Sequence, residues 1–156
     1  MARVREGRSW RVVAEHLSAF ESIFAQMADP ERAPEVMALR ESIRGWRFYD
    51  HFRSDADAPA RLSQLGTRTP VLSHDGRDLA AAWQTIREIG DDPSLTESVQ
   101  DAFPGAEVEV TVNDGRFSLY FSQHGLSRAL STAELSDGTL RYLLWIAVLH
   151  TPRPHP

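Results

Sequence analysis

Cysteine and lysine are both absent from the 156 residues, and all 17 basic side chains are arginine. Without cysteine there is no disulfide staple and no thiolate metal ligand. Without lysine there is no phosphate-binding loop of the usual Gly-x-x-x-x-Gly-Lys-Ser/Thr form, whose lysine contacts the phosphates. No apolar stretch reaches the ~20 residues a membrane-spanning helix needs. The arginines are scattered and the net charge is −5, so the molecule exerts no strong pull on nucleic acid. The first eight residues are basic, but no apolar signal core follows, which makes the cytoplasm the expected location. There is no internal repeat and no low-complexity segment.

What is present is ordinary for a soluble globular chain: 42% hydrophobic and 25% charged residues, in a length that supports one core. Residues 1–9 read as a disordered or poorly packed start, followed by a short strand at 10–13. Ser18 with Glu21 three positions on forms a capping box, and Phe20, Ile23, Phe24 and Met27 follow at helical spacing up to Asp29-Pro30. Pro34 opens a second helix with the stripe Val36, Leu39, Ile43 and Trp46, closed by Gly45. The aromatics of 46–52 predict a strand, and 54–66 a long loop. Asp75-Gly76 reads as a turn, Asp78 as the cap of a helix ending at Gly90, and Ser94 with Glu97 as a second capping box. Val108, Val110 and Val112 alternate with polar residues, as do Phe117, Leu119 and Phe121. Asn113-Asp114-Gly115 between them completes the clearest hairpin in the chain. A last short strand is expected near 127–130. The predicted class is α+β, with helices packed on a small antiparallel sheet.

Few constellations carry chemistry. The six histidines form no helical zinc pair, and His150 with His155 reads as part of a tail. Ser73-His74-Asp75 holds the residue types of a hydrolase triad, but consecutive side chains point to different sides. Asp55 with Asp57 and Asp91 with Asp92 read as loop carboxylates, and Arg53, Arg61 and Arg68 as solvated charges.

The chain is organised around Leu135-Ser136-Asp137-Gly138-Thr139-Leu140-Arg141, which runs directly into its most apolar segment, 140–149. Ser136 is an N-cap candidate, Asp137 suits the positive end of a helix dipole, and Gly138 permits close approach to the backbone. Locally this is either a simple cap or an anion site at a helix start. The helix beyond is apolar nearly all round and must be buried or covered.

This heptapeptide with its apolar helix and Pro-rich turn resembles the signature region of ABC-type ATPases, in particular the SMC/RecF-like branch of predicted AAA ATPases. Glu21-Ser22-Ile23-Phe24-Ala25-Gln26, Trp46-Arg47-Phe48-Tyr49 and the run Thr69-Pro70-Val71-Leu72-Ser73-His74-Asp75-Gly76 share the likeness, which spans roughly residues 17–154. The resemblance implies that two heads sandwich ATP and magnesium, the signature of one facing the γ-phosphate held by the other. Ser136 and Gly138 would then supply hydroxyl and N–H contacts, Arg141 would support the turn or the sandwich, and Gln26 would fall in a glutamine loop beside the magnesium. The lysine loop and the apolar strand ending in Asp-Glu that mark such ATPases are missing. The expectation is therefore the middle of an ATPase: a poorly packed start (1–16), a partial signature domain (17–150) and a Pro-rich tail (151–156). Such a chain is inactive alone and takes ATP and magnesium only when another chain or segment completes the site. Self-association or another ATPase subunit would be its partner. The alternative is a non-enzymatic interaction module or the remnant of a truncated gene.

Overall fold

A computed structural model describes residues 1–27 and 29–152, so His155 and the rest of the tail at 153–156 lie outside it. Contacts divide the chain into two compact units, Met1–Phe48 and Tyr49–Pro156, whereas the sequence suggests a boundary near residue 17.

In the first unit, strands β1 (Ala2–Glu6) and β2 (Ser9–Ala14) form an antiparallel ribbon, so the expected strand at 10–13 has a partner in the start of the chain. Gly7, at φ 62°, makes the reversal. Helix α1 (Ile23–Gln26) is a single turn capped by Ser22, whose Oγ accepts the Phe24 N–H at 3.3 Å. The longer helix expected from Ser18 does not form. Ser18 Oγ accepts the Phe20 N–H in a local turn instead, and Phe20 is 99% exposed. Helix α2 (Pro34–Gly45) follows its sequence signals, with Pro34 in the first turn and Gly45 at the end. Its apolar stripe is half-covered at Val36 and Ile43 and exposed at Leu39. The aromatic segment 46–52 is not a strand. Strand propensity needs a neighbouring strand to pair with. Here ring contacts replace it: Trp46 meets Phe48 edge-on at 6.2 Å, and Tyr49 meets Phe52 at 5.5 Å.

The second unit holds the core. Its opening loop contains a 3-10 turn (Pro59–Arg61) and the two-residue strand β3 (Gln64–Leu65). Helices α3 (Leu79–Ile89) and α4 (Asp92–Ala102) come next, then strands β4 (Glu107–Asn113) and β5 (Arg116–Ser122). The short strand β6 (Leu130–Ser131), a second 3-10 turn (Thr132–Glu134) and helix α5 (Asp137–His150) close the unit. All sheet pairings are antiparallel, in the order β3-β5-β4 with β6 also on β5, so the class is α+β with small antiparallel sheets.

The hairpin has the register its alternation predicts: Val108 opposite Phe121, Val110 opposite Leu119, Val112 opposite Phe117. Asp114 (φ 51°) and Gly115 (φ 74°) both sit in the left-handed region that a tight type I′ connection requires. Two helix caps differ from expectation. Asp78 stands at the N-cap of α3 without capping it, because its Oδ1 accepts from the Ser73 N–H (2.9 Å) and hydroxyl (2.5 Å). Helix α4 is capped by Asp91, which accepts the Ser94 N–H and hydroxyl, so Asp91 and Asp92 open a helix and do not lie in a loop. Pro93 fits the first turn of that helix, where its missing N–H costs nothing, and this pulls the start three residues ahead of Ser94.

Helices α3 and α4 lie on the sheet, and α5 packs against both. Leu140, Leu143, Leu144, Ile146, Ala147 and Val148 of α5 are buried beside Trp83, Ile86 and Leu95. A stripe at Tyr142, Trp145 and Leu149 stays exposed (36%, 38% and 74%), so the helix is covered on most of its circumference and open along one line.

Gly76 sits beneath this helix at φ +70°, and a Cβ there would overlap Leu144 Cδ2. Gly76→Ala should therefore destabilise the protein by about 2 kcal/mol, from the left-handed backbone and the displaced leucine together. Urea unfolding at unchanged m-value measures it.

Candidate functional site

The 135–141 turn is built on Arg61. The residue is 8% exposed, set in a short apolar stretch with Ala58 and Ala60 fully buried on the same turn. Its guanidinium makes seven hydrogen bonds. Nε donates to Ser54 O (3.2 Å) and Asp55 O (2.8 Å); Nη2 donates to Ser54 O (2.7 Å) and Asp137 Oδ1 (2.7 Å). Nη1 donates to the carbonyls of Thr132 (3.0 Å), Ala133 (3.2 Å) and Leu135 (2.8 Å). Thr132 returns the contact, its hydroxyl donating to Arg61 O at 3.0 Å. One planar fork thus gathers the carbonyls ahead of α5 and neutralises the acid at its first position. The expectation of a solvated Arg61 is overturned. Arg53 and Arg68 do lie on the surface, paired with Asp55 (2.6 Å) and Glu88 (3.4 Å). The overlooked signal was the run of small apolar residues around Arg61.

Glu134 steadies the approach to the turn. Arg128 binds its carboxylate with two bonds (2.5 and 3.0 Å), and the Ser131 N–H and hydroxyl donate to it at 3.0 Å. Arg128, foremost, and then Ser131 hold the Glu134 carboxyl at about 2.

Ser136 is the N-cap of α5, as the sequence predicts: its Oγ accepts the Thr139 N–H at 3.1 Å. It also shares a hydrogen bond with Thr139 Oγ1 at 2.8 Å. Only one of the two hydroxyl protons can lie between those oxygens, which leaves the other to donate outward. The Leu140 N–H bonds to Ser136 O, and among the described residues the N–H groups of Asp137 and Gly138 have no partner. Both face solvent. Nothing overhangs Gly138: a Cβ added there would meet only Ser136 Oγ, at 3.9 Å. Arg141 Nη2 donates to Ser54 Oγ at 3.0 Å, bracing the buried end of the Arg61 loop against α5.

Ser136, Gly138 and Arg141 therefore share one helix end. Gln26 belongs to the first unit, where its amide is engaged: Oε1 accepts the Ser18 N–H (2.7 Å), and Nε2 donates to Ser18 O (3.2 Å) and Glu21 O (3.0 Å). Elsewhere the Ser73 hydroxyl contacts Asp75 and Asp78, so the three consecutive residues at 73–75 make no triad. His150 ends α5 with its Nε2 3.0 Å from Ser98 Oγ. Among the described residues no group of three His, Asp or Glu is placed to hold a metal ion.

Replacing Arg61 by methionine keeps the stem and leaves five carbonyls without their donor. The expected loss is about 3 kcal/mol, because buried acceptors stripped of a charged partner lose more than the bonds themselves contribute. Chemical denaturation of the Arg61→Met protein checks it. Compared with known proteins, the chain matches no family model, no curated protein and no solved structure.

Proposed function

We propose that the 135–141 turn contacts the terminal phosphate of ATP held by another chain or segment, in the manner of an ABC-type signature, and that this chain does not turn over ATP by itself. The observation that carries the reading is the pairing of a braced backbone with outward, unpartnered N–H donors at Asp137 and Gly138. Donors fixed before the charge arrives stabilise a transferring phosphoryl group without reorganisation. Asp137 by itself would repel a phosphate; Arg61, at 2.7 Å, offsets that charge. The fit covers only the phosphate-contacting half of such a site. The absence of lysine leaves the lysine contact to the completing part, and magnesium would arrive with it. Arg141, bonded to Ser54, supports the turn in this scheme and does not reach for the nucleotide.

The purified chain should release no phosphate from magnesium-ATP at a steady rate. Its Asp137 and Gly138 amide resonances should shift saturably with millimolar magnesium-ATP. Gly138→Ala should raise stability by up to ~1 kcal/mol, since alanine is the better helix former, while the methyl blocks the N–H groups and abolishes the shift. An absent shift, or one unchanged in Gly138→Ala, contradicts the phosphate contact. Turnover lost on Ser136→Arg contradicts the claim of inactivity.

A second reading, self-association, is favoured by the open stripe of α5. Trp145 packs edge-on against Phe52 at 5.3 Å, and Leu149 beyond it is bare. Covering such side chains contributes roughly 1.5–3 kcal/mol each when burial is complete. Sedimentation should show concentration-dependent association of the wild type and a monomer for Leu149→Glu; two monomers would dismiss this interface.

A further inference from the structure

The β1–β2 ribbon of the first unit has one open edge. Its loop is two residues long, Glu6 pairs with Ser9 across it, and Gly7 at φ 62° suits the first position of a type II′ turn. The residues that flank such a loop exchange main-chain bonds, and bonded and non-bonded pairs then alternate along the ribbon. The main-chain groups of Val4, Glu6, Ser9 and Arg11 therefore face inward, and those of Arg3, Arg5, Trp10 and Val12 face outward. The two outer edges differ in kind. β1 presents Arg3 and Arg5, and charge is what keeps an edge strand from pairing with other chains. β2 presents Trp10 and Val12, 62% and 44% exposed, an aromatic and a β-branched residue of high strand propensity. Among the described residues no group outside the ribbon bonds the main chain of either.

A ribbon of two strands is marginal in water and needs a third strand or a packed face. Among the described residues of 1–14 none is buried, so packing does not supply this. Charge selects the third strand. Residues 1–14 hold four arginines against one glutamate, and Arg3 and Arg5 share a face with Val12 and Trp10, which stand opposite them. Arg3 reaches Met1 Sδ (3.9 Å) and Arg5 the Gly7 carbonyl (3.3 Å); neither meets a carboxylate among the described residues.

We infer that β2 takes up an extended, acidic segment of another protein as a third strand, bonded to the main chain of Trp10 and Val12. The probe is the blocked peptide acetyl-Glu-Val-Thr-Val-Glu-amide. In ¹H–¹⁵N spectra the Trp10 and Val12 amides should shift downfield and saturably as the peptide is added, since both gain an acceptor. Val12→Pro removes one outward N–H and no bond to β1, so it should weaken binding about tenfold. A persisting Hα–Hα contact between Arg5 and Trp10 shows that the ribbon still forms in this variant. If the contact is lost, Trp10→Lys, which charges the edge as β1 is charged, serves the same purpose. Lysine in place of both peptide glutamates should weaken binding about tenfold as well. No saturable shift, or equal affinity in the edge variant, overturns the edge; equal binding of the lysine peptide overturns the acidic partner. A shift that grows with protein concentration in the absence of peptide makes a second copy the third strand, and overturns the assignment to another protein.

Discussion

A buried guanidinium cannot give up its charge and must be surrounded by acceptors. Arg61 meets that demand with five backbone carbonyls and one carboxylate, drawn from the loop at 54–55 and from the chain at 132–137. Its partners at 132–137 lie 71 to 76 residues beyond Arg61 in sequence. This interaction places the start of α5, and with it a cap in which the exposed Gly138 stands beside the Ser136–Thr139 hydroxyl pair. Arginine suits the role where lysine would not: its planar fork offers several donors at fixed angles, whereas an ammonium offers a point charge.

The burial of α5 follows from the same anchor. With its first turn held by Arg61 and Arg141, the helix crosses α3 and α4 and inserts Leu140, Leu143 and Leu144 into their shared core. Gly76 lets the 73–76 turn pass close to Leu144. The exposed line at Tyr142, Trp145 and Leu149 is the face that these neighbours do not reach. Tyr142 itself is partly satisfied, meeting Phe103 edge-on and donating to Ser98 O at 3.0 Å.

Local signals were legible where local chemistry decides the structure. Val108, Val110 and Val112 against Phe117, Leu119 and Phe121 defined a register, because alternation forbids a slip by one residue and the two-residue turn at Asp114-Gly115 fixes the pairing. Pro34 and Gly45 bounded α2, and Ser136 capped α5. Signals failed where a rival partner won. Ser18 and Ser94 each had the spacing of a capping box, but Ser22 and Asp91 stood nearer the true helix starts. The aromatics at 46–52 carried strand propensity with no strand to pair with. Arg61 was illegible for a different reason. Its partners come from far along the chain, and nothing in its own neighbourhood beyond Ala58 and Ala60 shows that it is buried. The site was thus half visible: Ser136 and Gly138 from the sequence, their organiser only from the fold.

If the turn at 135–141 is preorganised by the Arg61 fork, keeping the charge while removing the fork should loosen that turn alone. Amide hydrogen exchange of Arg61→Lys against the wild type tests this directly. Faster exchange is predicted across 131–141, with the β4 and β5 amides and the second half of α5 unchanged. Equal exchange at the turn, or a uniform acceleration through the whole second unit, would contradict the account.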